Sequence, residues 1–117
     1  MSVITTDEDQ QLDALFTALS DRTRRDIVAR LSTGEATVKE LAEPYAMTMQ
    51  AVSQHVRVLE RTGLISQGRH RQTRPCRLEP AALEAALSWI EASRRTWSER
   101  MDRLETHLAR LQEPDSK

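Results

Sequence analysis

Gln50, Ser53, Gln54 and Arg57 share one side of a segment whose other side is Val52, Val56 and Leu59. The apolar residues step by four and then three, the spacing of one helix face. The polar side carries short arms that end in hydrogen-bond donors and acceptors. Glutamine can address an adenine edge, arginine a guanine or a phosphate, and serine either. Thr48 and Ala51 at the start of the same segment, and His55 beside its polar face, complete the candidate contacts of a groove-reading helix. Two extended runs follow, Leu64–Arg69 and Thr73–Leu78, on either side of the polar tip His70-Arg71-Gln72. That pattern predicts a hairpin. Arg69, Arg71 and Arg74 on it are long enough to reach phosphates.

Charge is distributed to match. Residues 48–78 carry six arginines against Glu60 alone, within a chain of net charge −1. The acids gather elsewhere: Asp7, Glu8, Asp9 and Asp13 precede any base. One concentrated basic block in a near-neutral protein is an electrostatic footprint for a polyanion.

Other chemistries find less support. Ser53 and His55 are two apart on a helix, so they point roughly 200° from each other and make no nucleophilic dyad. No glycine-rich phosphate loop, carboxylate pair or nucleophile motif appears, and an enzyme is not expected. Cys76 alternates with Leu78 on one strand face and reads as a small buried hydrophobe. The competing reading is a redox sensor whose thiol pKa is lowered by Arg74 and Arg77. One cysteine and three scattered histidines make no four-ligand site within a protomer. No cofactor or metal is expected.

These residues need a frame. At 117 residues the chain is the size of one domain, expected to span 1–117. Aromatics are 3% of the sequence and glycines number three, which favours a helical core of Leu, Val, Ile and Ala over a β-sandwich. No apolar run is long enough for a membrane span and no signal peptide is read at the start, so a soluble cytoplasmic protein is expected. The predicted fold is mainly α, with five helices and a two-stranded hairpin. Leu12, Leu15, Phe16 and Leu19 mark a first helix over about 7–19. Ser20 is the predicted N-cap of a second, over about 21–31, stopped by Gly34. Thr37 and Glu40 form a capping-box pattern that opens a short third helix, ended by Pro44. Thr48 caps the fourth, and Gly63 closes it. Pro75 cannot donate to a ladder, so its strand is expected at an edge, with that position facing outward. The last helix, over about 80–112, places Leu83, Leu87, Ile90, Arg94, Trp97, Met101, Leu104, Leu108 and Leu111 on a heptad seam broken by Arg94. At about 1.5 Å per residue it is roughly 50 Å long, more than a domain this size can cover. Trp89 and Trp97 read as core and dimer packing. Alternatively they line a ligand cleft, with Arg94 as an anion partner.

Two stretches carry a family resemblance. Residues 16–27, Phe-Thr-Ala-Leu-Ser-Asp-Arg-Thr-Arg-Arg-Asp-Ile, resemble the opening signature of ArsR-type winged-helix repressors. Residues 51–65, Ala-Val-Ser-Gln-His-Val-Arg-Val-Leu-Glu-Arg-Thr-Gly-Leu-Ile, resemble that family's recognition helix and first wing strand. Arg22 departs from the pattern, which usually has proline there. The resemblance implies a winged helix-turn-helix that binds double-stranded DNA as a homodimeric repressor and occupies an operator, commonly that of its own operon, until a signal releases it. A two-fold dimer with a helix in each major groove is expected to read an inverted repeat. It implies dimerisation through the first and last helices, here Leu12, Leu15 and Phe16 with Trp89, Trp97, Met101, Leu104 and Leu108. The arsenic-type Cys-x-Cys pair is missing at Leu41-Ala42-Glu43-Pro44-Tyr45, and the last helix has His107 without the zinc-type partners. The resemblance thus names no effector. Competing readings keep the fold as a metal- or redox-dependent regulator, or as a protein-interaction module that does not bind DNA.

Overall fold

The computed structural model describes residues 7–68 and 74–112. Their order is α1 (Asp7–Ala18), α2 (Arg22–Leu31), α3 (Val38–Ala42), α4 (Met49–Arg61), β1 (Ile65–Gln67), β2 (Cys76–Leu78) and α5 (Pro80–Gln112). Among the described residues this is the predicted mainly α architecture, five helices with a two-stranded antiparallel hairpin. The chain divides into two units, residues 1–86 and 87–117, with the boundary inside α5.

The core of the first unit is aliphatic. Leu15, Ala18, Ile27, Leu41, Val52, Val56, Leu59, Leu64 and Ile65 are its buried heart, joined by Ala82 and Ala86 from the start of α5. Every helix but the short α3, which buries Leu41 alone, contributes buried residues three or four apart, so burial selects one stripe per helix and leaves the opposite stripe in water. No polar side chain is buried among the described residues.

The caps set the joints. Asp21, not Ser20, caps α2: its carboxylate accepts from the Arg24 amide at 3.1 Å. The Ser20 hydroxyl instead donates back to the Thr17 carbonyl and finishes α1. Both residue types cap well, and the carboxylate holds the position nearer the free amides of the first turn. Thr37 and Glu40 make the expected capping box on α3. Thr48 caps α4 by accepting from the Ala51 amide. Gly63 follows α4 with φ +79°, a left-handed residue that turns the chain into β1.

The hairpin pairs Ile65 with Leu78, Ser66 with Arg77 and Gln67 with Cys76. Gly68 N–H then donates to the Pro75 carbonyl at 2.9 Å. Pro75 therefore faces Gly68 inside the hairpin rather than outward, and its missing N–H leaves that pair with a single bond. Nor is β2 an edge. Cys76 exchanges two backbone hydrogen bonds with Ala36, at 2.7 and 3.2 Å, so the α2–α3 connection lies along its other side. At the hairpin's base the Glu79 amide donates to the Leu64 carbonyl, and the Ser66 hydroxyl donates to Glu79 Oε1.

In the second unit, residues 87–112 continue α5. Leu87, Ile90, Trp97, Met101, Leu104, Leu108 and Leu111 are all exposed there, as is Trp89. Among the described residues no helix is long and apolar enough to cross a membrane.

Candidate nucleic-acid interface

The α4 helix has two unlike faces. Val52, Val56 and Leu59 are fully buried and root it in the core. Gln50, Gln54, Arg57 and Arg61 step by four, three and four along the opposite side, and all four are exposed. Ser53 and Ala51 flank that stripe, partly covered. Such a helix is held from behind and presents only polar and basic groups in front.

The hydrogen bonds refine each predicted contact. Thr48 uses an oxygen lone pair to cap α4, so its hydroxyl hydrogen is left to donate outward. Gln54 Oε1 accepts from Arg57 Nη1 at 3.3 Å, which ties the two side chains into one donor-rich surface. His55 turns toward the start of α2. Its Nδ1 lies 3.4 Å from Arg24 Nη1 and 3.8 Å from Asp21 Oδ2. The Arg24 contact is a hydrogen bond in the tautomer that leaves Nδ1 free to accept.

The hairpin contributes unevenly. Arg74 is exposed. Arg69 and Arg71 lie outside the described residues. Arg77 has an exposed carboxylate partner, Glu35 Oε1 at 3.8 Å, which offsets part of the local positive charge. Cys76 is fully buried, and burial, with a smaller push from Glu60, raises its thiol to about 11. The expectation that Arg74 and Arg77 would lower it is therefore corrected: desolvation outweighs two arginines whose heads are in water. Among the described residues no cluster of three or more His, Cys, Asp or Glu side chains could hold a metal ion.

The arginines of α2 are the part that sequence reasoning passed over. Arg24 donates to the Ala18 carbonyl at 2.6 Å and the Thr17 carbonyl at 3.2 Å, closing the end of α1. Arg25 donates to the Leu19 carbonyl. Arg30 donates to the Leu41 and Glu40 carbonyls at the end of α3 and lies over the Tyr45 ring. The Tyr45 hydroxyl in turn donates to Asp26, and burial, then that bond, raises its pKa. These cations sit where helix C-termini leave carbonyls unpaired. Their signal is the basic run Arg22 to Arg25, close behind the end of α1.

The dimer candidates divide likewise. Leu15 is fully buried within its own protomer, so it has no surface left for a second chain. Leu12 is half-buried against the same core, and Phe16 is exposed. Trp97, Met101, Leu104 and Leu108 expose 64, 37, 49 and 46% of their surface. Arg94 pairs with Glu91 one turn earlier, at 3.0 Å.

The fold is shared with known proteins. Residues 19–67 match a helix-turn-helix domain family. The chain is 40% identical over 73 residues to the HTH-type transcriptional regulator Rv2034 of Mycobacterium tuberculosis, spanning 62% of this chain and 68% of that protein. It is 29% identical over 79 residues to the transcriptional repressor SdpR of Bacillus subtilis, spanning 68% of this chain and 88% of that one. A crystallised ArsR family transcriptional regulator superposes with a TM-score of 0.73 at 34% identity, covering 84% of this chain and 97% of the other. The chain belongs to the ArsR-type family of winged helix-turn-helix proteins, and it is a DNA-binding transcriptional regulator.

Proposed function

We propose that the protein is a homodimeric repressor that acts in the cytoplasm on the operator of its own operon. Residues 1–117 work as one winged helix-turn-helix domain, with 80–112 as its dimerisation helix. The observation that carries this reading is the exposed stripe of Gln50, Gln54, Arg57 and Arg61 on a helix whose other face is fully buried. A rigidly rooted helix with such a front fits a major groove, and its first half reads base edges. Gln50, Ser53 and Gln54 take that part. Thr48, Ala51 and Arg57 flank them, and His55 braces the helix through Arg24 and Asp21. Arg69, Arg71 and Arg74 of the hairpin contact the backbone. Two copies related by a two-fold axis read an inverted repeat, with half-sites about 10–11 base pairs apart or a multiple of that.

The test is a mobility shift and footprint on the protein's own upstream region. A protected inverted repeat is the expected result, together with competition by specific DNA well in excess of random DNA. No shift at low salt with micromolar protein would refute the repressor and favour a winged helix that serves as an interaction module. A shift that depends on added metal would move the reading to a metal-dependent regulator.

A further inference from the structure

The α1 helix ends at Ala18, and the side chain that finishes it belongs to α2. Arg24 Nε donates to the Ala18 carbonyl at 2.6 Å, and Nη2 donates to the Thr17 carbonyl at 3.2 Å. The third nitrogen, Nη1, lies 3.4 Å from Nδ1 of His55, in the middle of α4. One guanidinium thus touches the end of α1 and the reading helix together. We propose that Arg24 is a positioning residue for DNA reading: through His55 it fixes where α4 stands relative to the end of α1, and so sets the spacing of the two reading helices in a dimer. The proposal rests on the homodimer reading above and adds to it the residue that holds each reading helix in place.

Arginine suits this task because its fork is planar and its donors keep fixed angles to one another. Two donors bound to α1 leave little freedom in the direction of the third. The side chain is also held at its root. Asp21 Oδ2 accepts from the Arg24 amide at 3.1 Å, and the same oxygen lies 3.8 Å from His55 Nδ1. Arg24 and His55 are both partly buried, so water competes less for their bond than for a surface pair.

Val52, Val56 and Leu59 root α4 by apolar contacts, which carry no direction. The hydrogen bond from Arg24 adds one. His55 directly follows Gln54 of the exposed stripe, so a shift at His55 is a shift of the stripe. At the other end of the tie, Thr17 and Ala18 directly follow Phe16, which is exposed. In the homodimer reading α1 belongs to the interface through Leu12 and Phe16. Arg24 thereby joins the interface helix to the reading stripe. A dimer reads an inverted repeat only when both α4 helices meet their half-sites at once, so their separation is part of the specificity.

A series of operator spacings tests this in the full-length protein. The probe is a duplex carrying the inverted repeat footprinted in the protein's own upstream region, with one base pair added or removed at its centre. Each such change moves a half-site by about 3.4 Å and about a tenth of a turn, and leaves every base within the half-sites the same. The parent should bind the altered duplexes about tenfold less tightly, since DNA or protein must twist to fit them. Arg24→Met should reduce that preference to about threefold or less. Arg24→Lys should do the same, because it keeps the charge but not the fork. Partial unfolding lowers the competent fraction equally for all three duplexes, and loss of a base contact, as in Gln54→Ala, weakens all three alike. Neither changes the ratio. His55 supplies a second pair of variants that leave the Arg24 bonds to α1 in place. His55→Asn keeps an acceptor near the position of Nδ1 and should retain the preference, whereas His55→Leu should lose it. A preference that survives in Arg24→Met, Arg24→Lys or His55→Leu, or that His55→Asn fails to retain, would overturn the proposal. So would a parent that binds all three spacings equally. A parent that binds none of them, or that scatters as a monomer at micromolar concentration, would overturn the homodimeric repressor and the proposal with it.

Discussion

Gln54 and Arg57 share a hydrogen bond, so a change at either is expected to disturb the other. Gln54→Ala removes an arm that can pair with an adenine and also frees Arg57 to move. The expected cost is about 1–3 kcal/mol on the preferred operator and much less on random DNA, read by titrating both duplexes. Equal losses on both would mean that α4 does not read sequence. Arg71 is expected to act on phosphates, so Arg71→Ala should weaken both duplexes and lower the salt slope by about one unit per protomer. An unchanged slope would remove the hairpin from the backbone contacts. Asp21 works on stability instead. Its carboxyl is held below the ordinary value of 3.8, mainly by the Arg24 amide, with help from the charges of His55 and Arg24 and against partial burial. A depressed folded-state pKa stabilises the fold fully above the ordinary value and is lost as pH falls through the depressed one. Asp21→Ala should therefore cost about 1 kcal/mol near neutral pH, and the gap to the parent should narrow below about pH 4. Thermal melts of both proteins across that range check the sign.

At the scale of elements, the parts of the fold that follow from local rules are legible in the sequence. The Thr37–Glu40 capping box, the Thr48 cap and the Gly63 turn each need only residues three or four positions apart, and each is present. Gly63→Ala should cost roughly 1 kcal/mol, because its φ of +79° is strained for any side chain although space is open around it. A smaller loss in a denaturant titration would mean that the turn can relax. What the sequence conceals is tertiary. Ser20 and Asp21 are adjacent and both can cap, so the choice rests on which amide each reaches. Pro75 reads as an outward position because nothing local announces that Ala36 takes the far side of β2. The arginines of α2 look like surface charge until the ends of α1 and α3 are brought beside them. The front of α4 is readable because a helix that alternates buried and polar stripes needs no partner to be recognised. The inward turn of His55 is not, since it depends on where α2 begins.

At the scale of the whole molecule, the exposed seam of α5 predicts a stable homodimer by light scattering at micromolar concentration. Leu104→Glu should produce monomer or aggregate, since it places a charge among Trp97, Met101 and Leu108. The bridge between Ala36 and Cys76 has a consequence for the order in which the protein opens. A two-stranded hairpin alone is marginal in water and would exchange its amides by local fraying. Here one strand is also bonded to the connection between α2 and α3, whose neighbours on both sides are core helices. The Cys76 amide, bonded to Ala36, should therefore exchange with deuterium as slowly as the amides of α4. The Gly68 amide, bonded only across the single-bonded proline pair, should exchange far faster. The protein would thus carry a boundary of cooperativity within a few residues of one hairpin: the Cys76 amide is released only with the core, and the Gly68–Pro75 bond opens on its own.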